Sequence, residues 1–201
     1  FLRSRIEPAT RTAVESVDGG EAVGGLSVIQ LGARVPGNGP RDLADAALFG
    51  YELAPRGVPD AVPALGEAYA DETLQAKGVE QGMTIELGPF RSKVTVIGFE
   101  TDTSYLGQGA LWASAATWRQ VSTENRAVQT LPEGAFQALV VTTSGDAASV
   151  RGAIDAATDG ATRTLTRAEA VNAIPGVEQQ RSTFNQIIGI TIVIAIIVVA
   201  L

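Results

Sequence analysis

The last fifteen residues, Ile187 to Leu201, read IIGITIVIAIIVVAL, and no charged residue follows Arg181. Such a run constrains the chain more than any other feature. In hydrocarbon a backbone satisfies its own donors and acceptors only by coiling or by closing a barrel, so an apolar run of this length reads as helix. Extended back to Phe184, it gives about 18 residues, or roughly 27 Å at 1.5 Å per residue, a little short of a bilayer core of roughly 30 Å. The residues expected in the membrane are Phe184, Ile187, Ile188, Ile190, Ile192, Val193, Ile194, Ile196, Ile197, Val198, Val199 and Leu201. A strand this long is unusual, and a core helix normally carries a polar stripe. The other end, Phe1-Leu2-Arg3, has no initiator Met, and Arg3, Arg5, Glu7 and Arg11 break any signal-peptide core. We read Phe1-Leu2 as the tail of an earlier spanning helix.

The rest of the chain, roughly 180 residues, is enough for one domain or two small lobes. Its charge excludes several partners. With 22 acidic against 15 basic residues the net charge is −7, and Lys77 and Lys93 are the two lysines. An acidic chain without basic runs is ill suited to nucleic acid. It suits a segment outside the cytoplasm, since basic residues favour inner loops. The sequence has no Cys and no His, which removes thiol chemistry, disulfides, imidazole bases and the usual zinc sites. No G-x-x-x-x-G-K, G-x-S-x-G or S-x-x-K motif occurs. No cofactor, metal or catalytic residue is expected.

Hydrophobic spacing predicts a helix over Ile6–Val17, with Pro8 near its start and Asp18-Gly19-Gly20 ending it. A strand follows from Ala22 to Val35, a turn over Pro36–Pro40, and a second strand over Ala44–Tyr51 that pairs with the first as a hairpin. Pro55, Pro59 and Pro63 mark an irregular crossing from Ala54 to Leu65, where a change of lobe is expected. Asp71 should cap a short helix ended by Gly78. Strands follow over Met83–Leu87 and Lys93–Glu100, and Ser114 should cap a helix carrying Trp118 and Val121. Asn125–Gly134 reads as a linker and Phe136–Thr142 as a strand. Asp146 should cap a helix over Ala147–Ala157, followed by a short strand Thr162–Leu165 and a capping box formed by Thr166 and Glu169. Pro175 should open a long helix of about 27 residues, roughly 40 Å, part of it standing above the membrane.

Two stretches resemble a known family. Gly66–Trp112 carries Ala70, Leu74, Gly78, Val79, Gly82, Thr84 and Ile85, then Val94, Val96, Ile97 and Gly98. In that order they resemble a segment of MacB/FtsX-type ABC transporter permeases that lies in the large extracytoplasmic domain between the first and second spanning helices. Thr162 to Ile190 is similar to the same family's run into its second spanning helix. The motifs are structural rather than catalytic. The resemblance implies an α+β fold: a two-lobed extracytoplasmic domain, with a porter-like βαβ lobe and a small β-rich lobe, followed by a transmembrane helix. Residues 1–53 and 130–174 would form the porter-like lobe, 54–129 the inserted lobe, and 175–201 the stalk and start of the span. It also implies a non-catalytic permease subunit in the cell (inner) membrane, multi-pass, whose partners are an ABC ATPase, a second permease subunit (the same or different), the bilayer, and an extracytoplasmic adaptor or substrate. The alternative class is a single-pass anchored adhesion or scaffold domain without transport.

The remaining polar constellations read as structural. Glu100–Tyr105 concentrates acids and hydroxyls, but a polar turn accounts for it better than an oxygen-ligand cation site. Asp42/Asp45 and Asp71/Glu72 read as solvated or capping groups, and Gly107-Gln108-Gly109 is too short for a dinucleotide fingerprint. Phe90, Tyr105, Trp112 and Trp118 fall close together in the sequence; core is favoured over an exposed binding patch, because a small lobe needs large side chains for itself.

Overall fold

In a computed structural model the described residues are 4–35, 42–55, 57–105, 107–125 and 131–172. Pro175 and every residue expected in the membrane, Phe184 to Leu201, lie outside them. Among the described residues no helix is long and apolar enough to cross a membrane. Contacts divide the chain between Ser144 and Gly145.

The first unit begins with helix α1 (Pro8–Glu15) and continues through strands β1 (Ala22–Arg34), β2 (Asp42–Tyr51) and β3 (Glu67–Asp71). A 3-10 turn (Glu72–Lys77) follows, then β4 (Thr84–Leu87), β5 (Ser92–Glu100), β6 (Ala110–Ser114), helix α2 (Ala115–Glu124) and β7 (Ala138–Thr142). β1 and β2 form the expected antiparallel hairpin, from Leu26↔Tyr51 to Arg34↔Asp42. The ladder order β2-β6-β3-β5-β4-β1, with β1 also paired to β2, closes these six described strands into a ring. A register shift between Leu31 and Ala33 lets the end of β1 pair with β4 while still bonded to β2. Beyond the ring, Ala22–Leu26 pairs with β7.

Alternation along the strands explains why the ring closes. Ala46 and Leu48, Ala68 and Ala70, Val94 and Val96, and Leu111 and Ala113 share one buried cluster, and many of them are small. A barrel of so few strands is narrow, and small inward side chains fill it. Its two ends are stoppered. At one end Leu74 of the 3-10 turn lies where a Cβ on Gly109 would stand. At the other, Trp118 of α2 occupies the space beside Gly50, whose ladder partner is Ala113. Gly50 is therefore required by close approach of the indole.

Several expectations need correction. β2 is bonded in parallel to β6, from Ala47↔Ala110 to Tyr51↔Ser114, across the proline-marked stretch. The prolines mark a long loop between strands of one barrel. Glu67–Asp71 and Ala110–Ser114 are strands that hydrophobic spacing did not single out; each is five residues long and rich in alanine, so its alternation is muted. Thr162–Leu165, expected as a strand, is irregular. Thr166 and Glu169 cap the next helix instead, and their mutual bonds occupy the chain just ahead of it.

The second unit contains α3 (Ala147–Ala157) and α4 (Arg167–Asn172). Asp146 caps α3 by accepting from Ala148 N and Ser149 N; the bond from the Ser149 hydroxyl, then these two backbone bonds, lower its pKa. Glu169 Oε2 accepts from Thr166 N at 2.8 Å and from Thr166 Oγ1 at 2.9 Å, while its other oxygen pairs with Arg151. Backbone and hydroxyl bonds from Thr166, then Arg151, bring its pKa down to about 2. A depressed carboxylate contributes stability that is present above its unfolded pKa and lost as pH falls through the folded one. We expect amide protection in Arg167–Asn172 to be unchanged at neutral pH, to weaken below about pH 4.5, and to be gone near pH 2, with the Glu169 side-chain shift titrating at the low end. NMR of the carboxyl carbon checks it.

Candidate functional site

Outside the barrel, opposite parity builds an aromatic layer. Ala47, Phe49 and Tyr51 of β2 face outward together with Ala110 and Trp112 of β6, and Val28 and Val58 join them. Phe49 stacks on Trp112 with centroids 4.2 Å apart and 14° between planes, and meets Tyr105 edge-on at 5.2 Å. Tyr51 meets Trp112 at 6.4 Å. The Tyr51 hydroxyl donates to Pro59 O at 3.1 Å, or alternatively to Ala61 O at 3.3 Å, which pins the proline-marked loop over the layer. Burial, with the nearby Tyr69, Glu100 and Asp60, pushes this phenol up to about 12. It therefore remains a donor at any physiological pH.

Asp71 ties the next part together. Its Oδ1 accepts from Thr73 N at 3.1 Å and from the Thr73 hydroxyl, capping the 3-10 turn. Its Oδ2 accepts from Thr103 N at 3.1 Å and Thr103 Oγ1 at 2.9 Å. Asp71 is 1% exposed. The Glu100–Tyr105 loop is thus folded down onto the end of β3 by a buried carboxylate, as a polar turn with Asp102 at a φ of 56°. Gly78, at a φ of 86°, ends the 3-10 turn in the left-handed conformation that glycine adopts without steric cost.

The four aromatics grouped by the sequence do not stay together. Trp112 and Trp118 are buried, in the outer layer and the barrel stopper respectively. Tyr105 is half-buried against Phe49, and Phe90 is 56% exposed at the β4–β5 turn. That turn is held by Asn125, whose Oδ1 accepts from Phe90 N and whose Nδ2 donates to Ser92 Oγ and Val121 O. Arg119 reaches the other way, donating to Leu131 O, Pro132 O and Ala135 O.

Sequence reading missed a buried glutamine. Gln137, 2% exposed, accepts from Val28 N at 2.6 Å through its side-chain oxygen. It fills the edge of β1 between the stretch paired with β7 and the stretch paired with β4. It also missed Phe49, Tyr51 and Tyr69, although the spacing of Ala47, Phe49 and Tyr51 was the available signal. Among the described residues no three His, Cys, Asp or Glu side chains group as a metal site. The polar groups named here hold loops and turns in place, so the arrangement confers rigidity.

No protein-family model matches the sequence, and no curated protein does. Solved structures do match. The periplasmic region of MacB from Actinobacillus actinomycetemcomitans is 12% identical over 79% of this chain and 76% of its own, with a TM-score of 0.53. The extracellular domain of the noncanonic ABC-type transporter YknZ from Gram-positive bacteria is 14% identical over 78% of this chain and 84% of its own, with a TM-score of 0.54. The fold is that of these transporter domains, a mixed α+β architecture around a seven-stranded sheet.

Proposed function

We propose that this chain is the non-catalytic extracytoplasmic domain of an ABC transporter permease, which couples a partner ATPase to export or to handling of a substrate or partner outside the membrane. The observation that carries this reading is the shared fold, along about four-fifths of the chain, with the periplasmic and extracellular domains of two transporters. The apolar run Ile187–Leu201 supports it independently, since it supplies a membrane segment beside such a domain. In this reading residues 175–201 form the stalk and the start of a spanning helix, and ATP chemistry belongs to an ABC ATPase outside these residues, which carry no P-loop. The protein sits in the cell membrane, multi-pass, and works with a second permease subunit.

The test is to isolate the full-length protein from its own membranes in mild detergent. We expect an ABC ATPase to accompany it in fixed ratio, with ATP turnover that changes when the two are separated. A full-length protein with a single span, isolated without an ATPase, would instead be an anchored scaffold.

A further inference from the structure

The N-terminal helix is held to the ring by contacts that converge on one point. Of the residues in α1, Val14 is the buried one. Glu7 at its N-cap makes no side-chain capping bond and pairs with Arg5 instead. A helix of eight residues is far too short to be stable alone, so α1 persists only through its docking. Arg11 supplies much of that. Its Nε pairs with Glu15 Oε1 at 2.7 Å, and its Nη1 pairs with Glu52 Oε2 at 2.8 Å, just past the end of β2. The same Glu52 oxygen accepts from Gly25 N at 3.0 Å. The guanidinium also lies over the Phe136 ring, 5.4 Å from its centroid. Phe136 rests on Gly25, where any Cβ would overlap the ring. Ile6 and Phe136 exchange two backbone bonds, at 2.7 and 3.1 Å, and Ser4 Oγ donates to Gln137 O at 2.6 Å.

The partners beyond the helix, Gly25, Glu52, Phe136 and Gln137, gather at the Gly25 end of the hairpin. The ring itself is closed by its ladders and stoppered by Leu74 and Trp118. The ion pairs are solvated enough to open readily, since the Arg11, Glu15 and Glu52 side chains are 25%, 43% and 37% exposed. Local openings of this kind occur below the free energy of global unfolding when few apolar contacts must break.

We propose that residues 4–16 form a latch, which detaches from the barrel as one unit while the ring stays closed, with Arg11 as its catch. The inference rests on the junction alone and does not require the transporter reading.

Hydrogen exchange on the full 201-residue chain in detergent micelles tests it. We expect the amides of residues 6–16 to exchange faster than those of β3 to β6. Arg11→Met should speed exchange in residues 6–16 by about fivefold, as the loss of exposed pairs allows, and leave β3 to β6 unchanged. Glu52→Gln, which keeps the bond to Gly25 N within reach, should act in the same direction, and the exchanged pair Arg11→Glu with Glu52→Arg should restore part of the protection. High salt should mimic Arg11→Met in the unaltered chain. Exchange of residues 6–16 at the rate of the ring, acceleration of both together, or no response to either single substitution would overturn the latch.

Discussion

Trp118→Ala is expected to destabilise the first unit by about 3–5 kcal/mol, the usual cost of truncating a fully buried tryptophan. The side chain is 2% exposed and closes one end of the barrel. Its Cβ and Cγ lie against the space where Gly50 would carry a Cβ, so the strand has been fitted to the indole and has no side chain to relax into the hole. Val121, one turn on, is buried in the same cluster and loses its neighbour as well. For a unit of this size the loss corresponds to a melting temperature roughly 10 °C lower. Urea unfolding followed by far-UV circular dichroism measures it. Trp118→Phe keeps most of the stopper and should cost markedly less. A cost below about 1 kcal/mol for Trp118→Ala would mean that the barrel end is not closed by this residue.

Asp71→Ala is the second large effect, expected at about 3 kcal/mol. The carboxylate accepts from four donors, two on Thr73 and two on Thr103. Removing it strands the Thr103 N–H and hydroxyl in a site that is 7% exposed, and buried donors without acceptors are costly. The effect should be local as well as global. Amide exchange at Thr103 and through Glu100–Tyr105 should rise well beyond the change in the rest of the unit, because the loop loses its attachment to β3. Asp71→Asn retains the shape and one oxygen, and should fall between the two. Equal exchange at Thr103 in Asp71→Ala and in the unaltered chain would remove the clasp from the account.

These two residues show what the sequence could and could not convey. The capping groups were legible because caps are local: Asp71, Ser114 and Asp146 each accept from a backbone N–H two or three residues ahead. The hairpin and β7 were legible because apolar residues dominate them. The second half of Asp71's work was not, since Thr103 lies 32 residues away. The same holds for Trp118. Its place on a helix face was plain, but its role as a stopper depends on Gly50, in a strand that neighbours β6 through a parallel ladder. Ring closure itself is a property of ladders between distant segments, and β3 and β6, whose interior positions are largely alanine, carry weak hydrophobic periodicity. A proline-rich loop between two strands of a closed ring has the same composition as a linker between lobes, so composition alone does not separate the two. The Arg11 and Glu52 pairing joins residues that nothing in the spacing relates.

In the proposed function this domain stands on the outer side of the membrane as part of a transporter. Sidedness is directly measurable, since these 201 residues hold no cysteine and an introduced thiol is the only one among them. Lys77 is exposed at the end of the 3-10 turn. With Lys77→Cys in the full-length protein, a membrane-impermeant maleimide applied to intact spheroplasts is predicted to label the domain as fully as it does after lysis. Labelling that occurs only once the membrane is broken would place the domain inside and contradict the account.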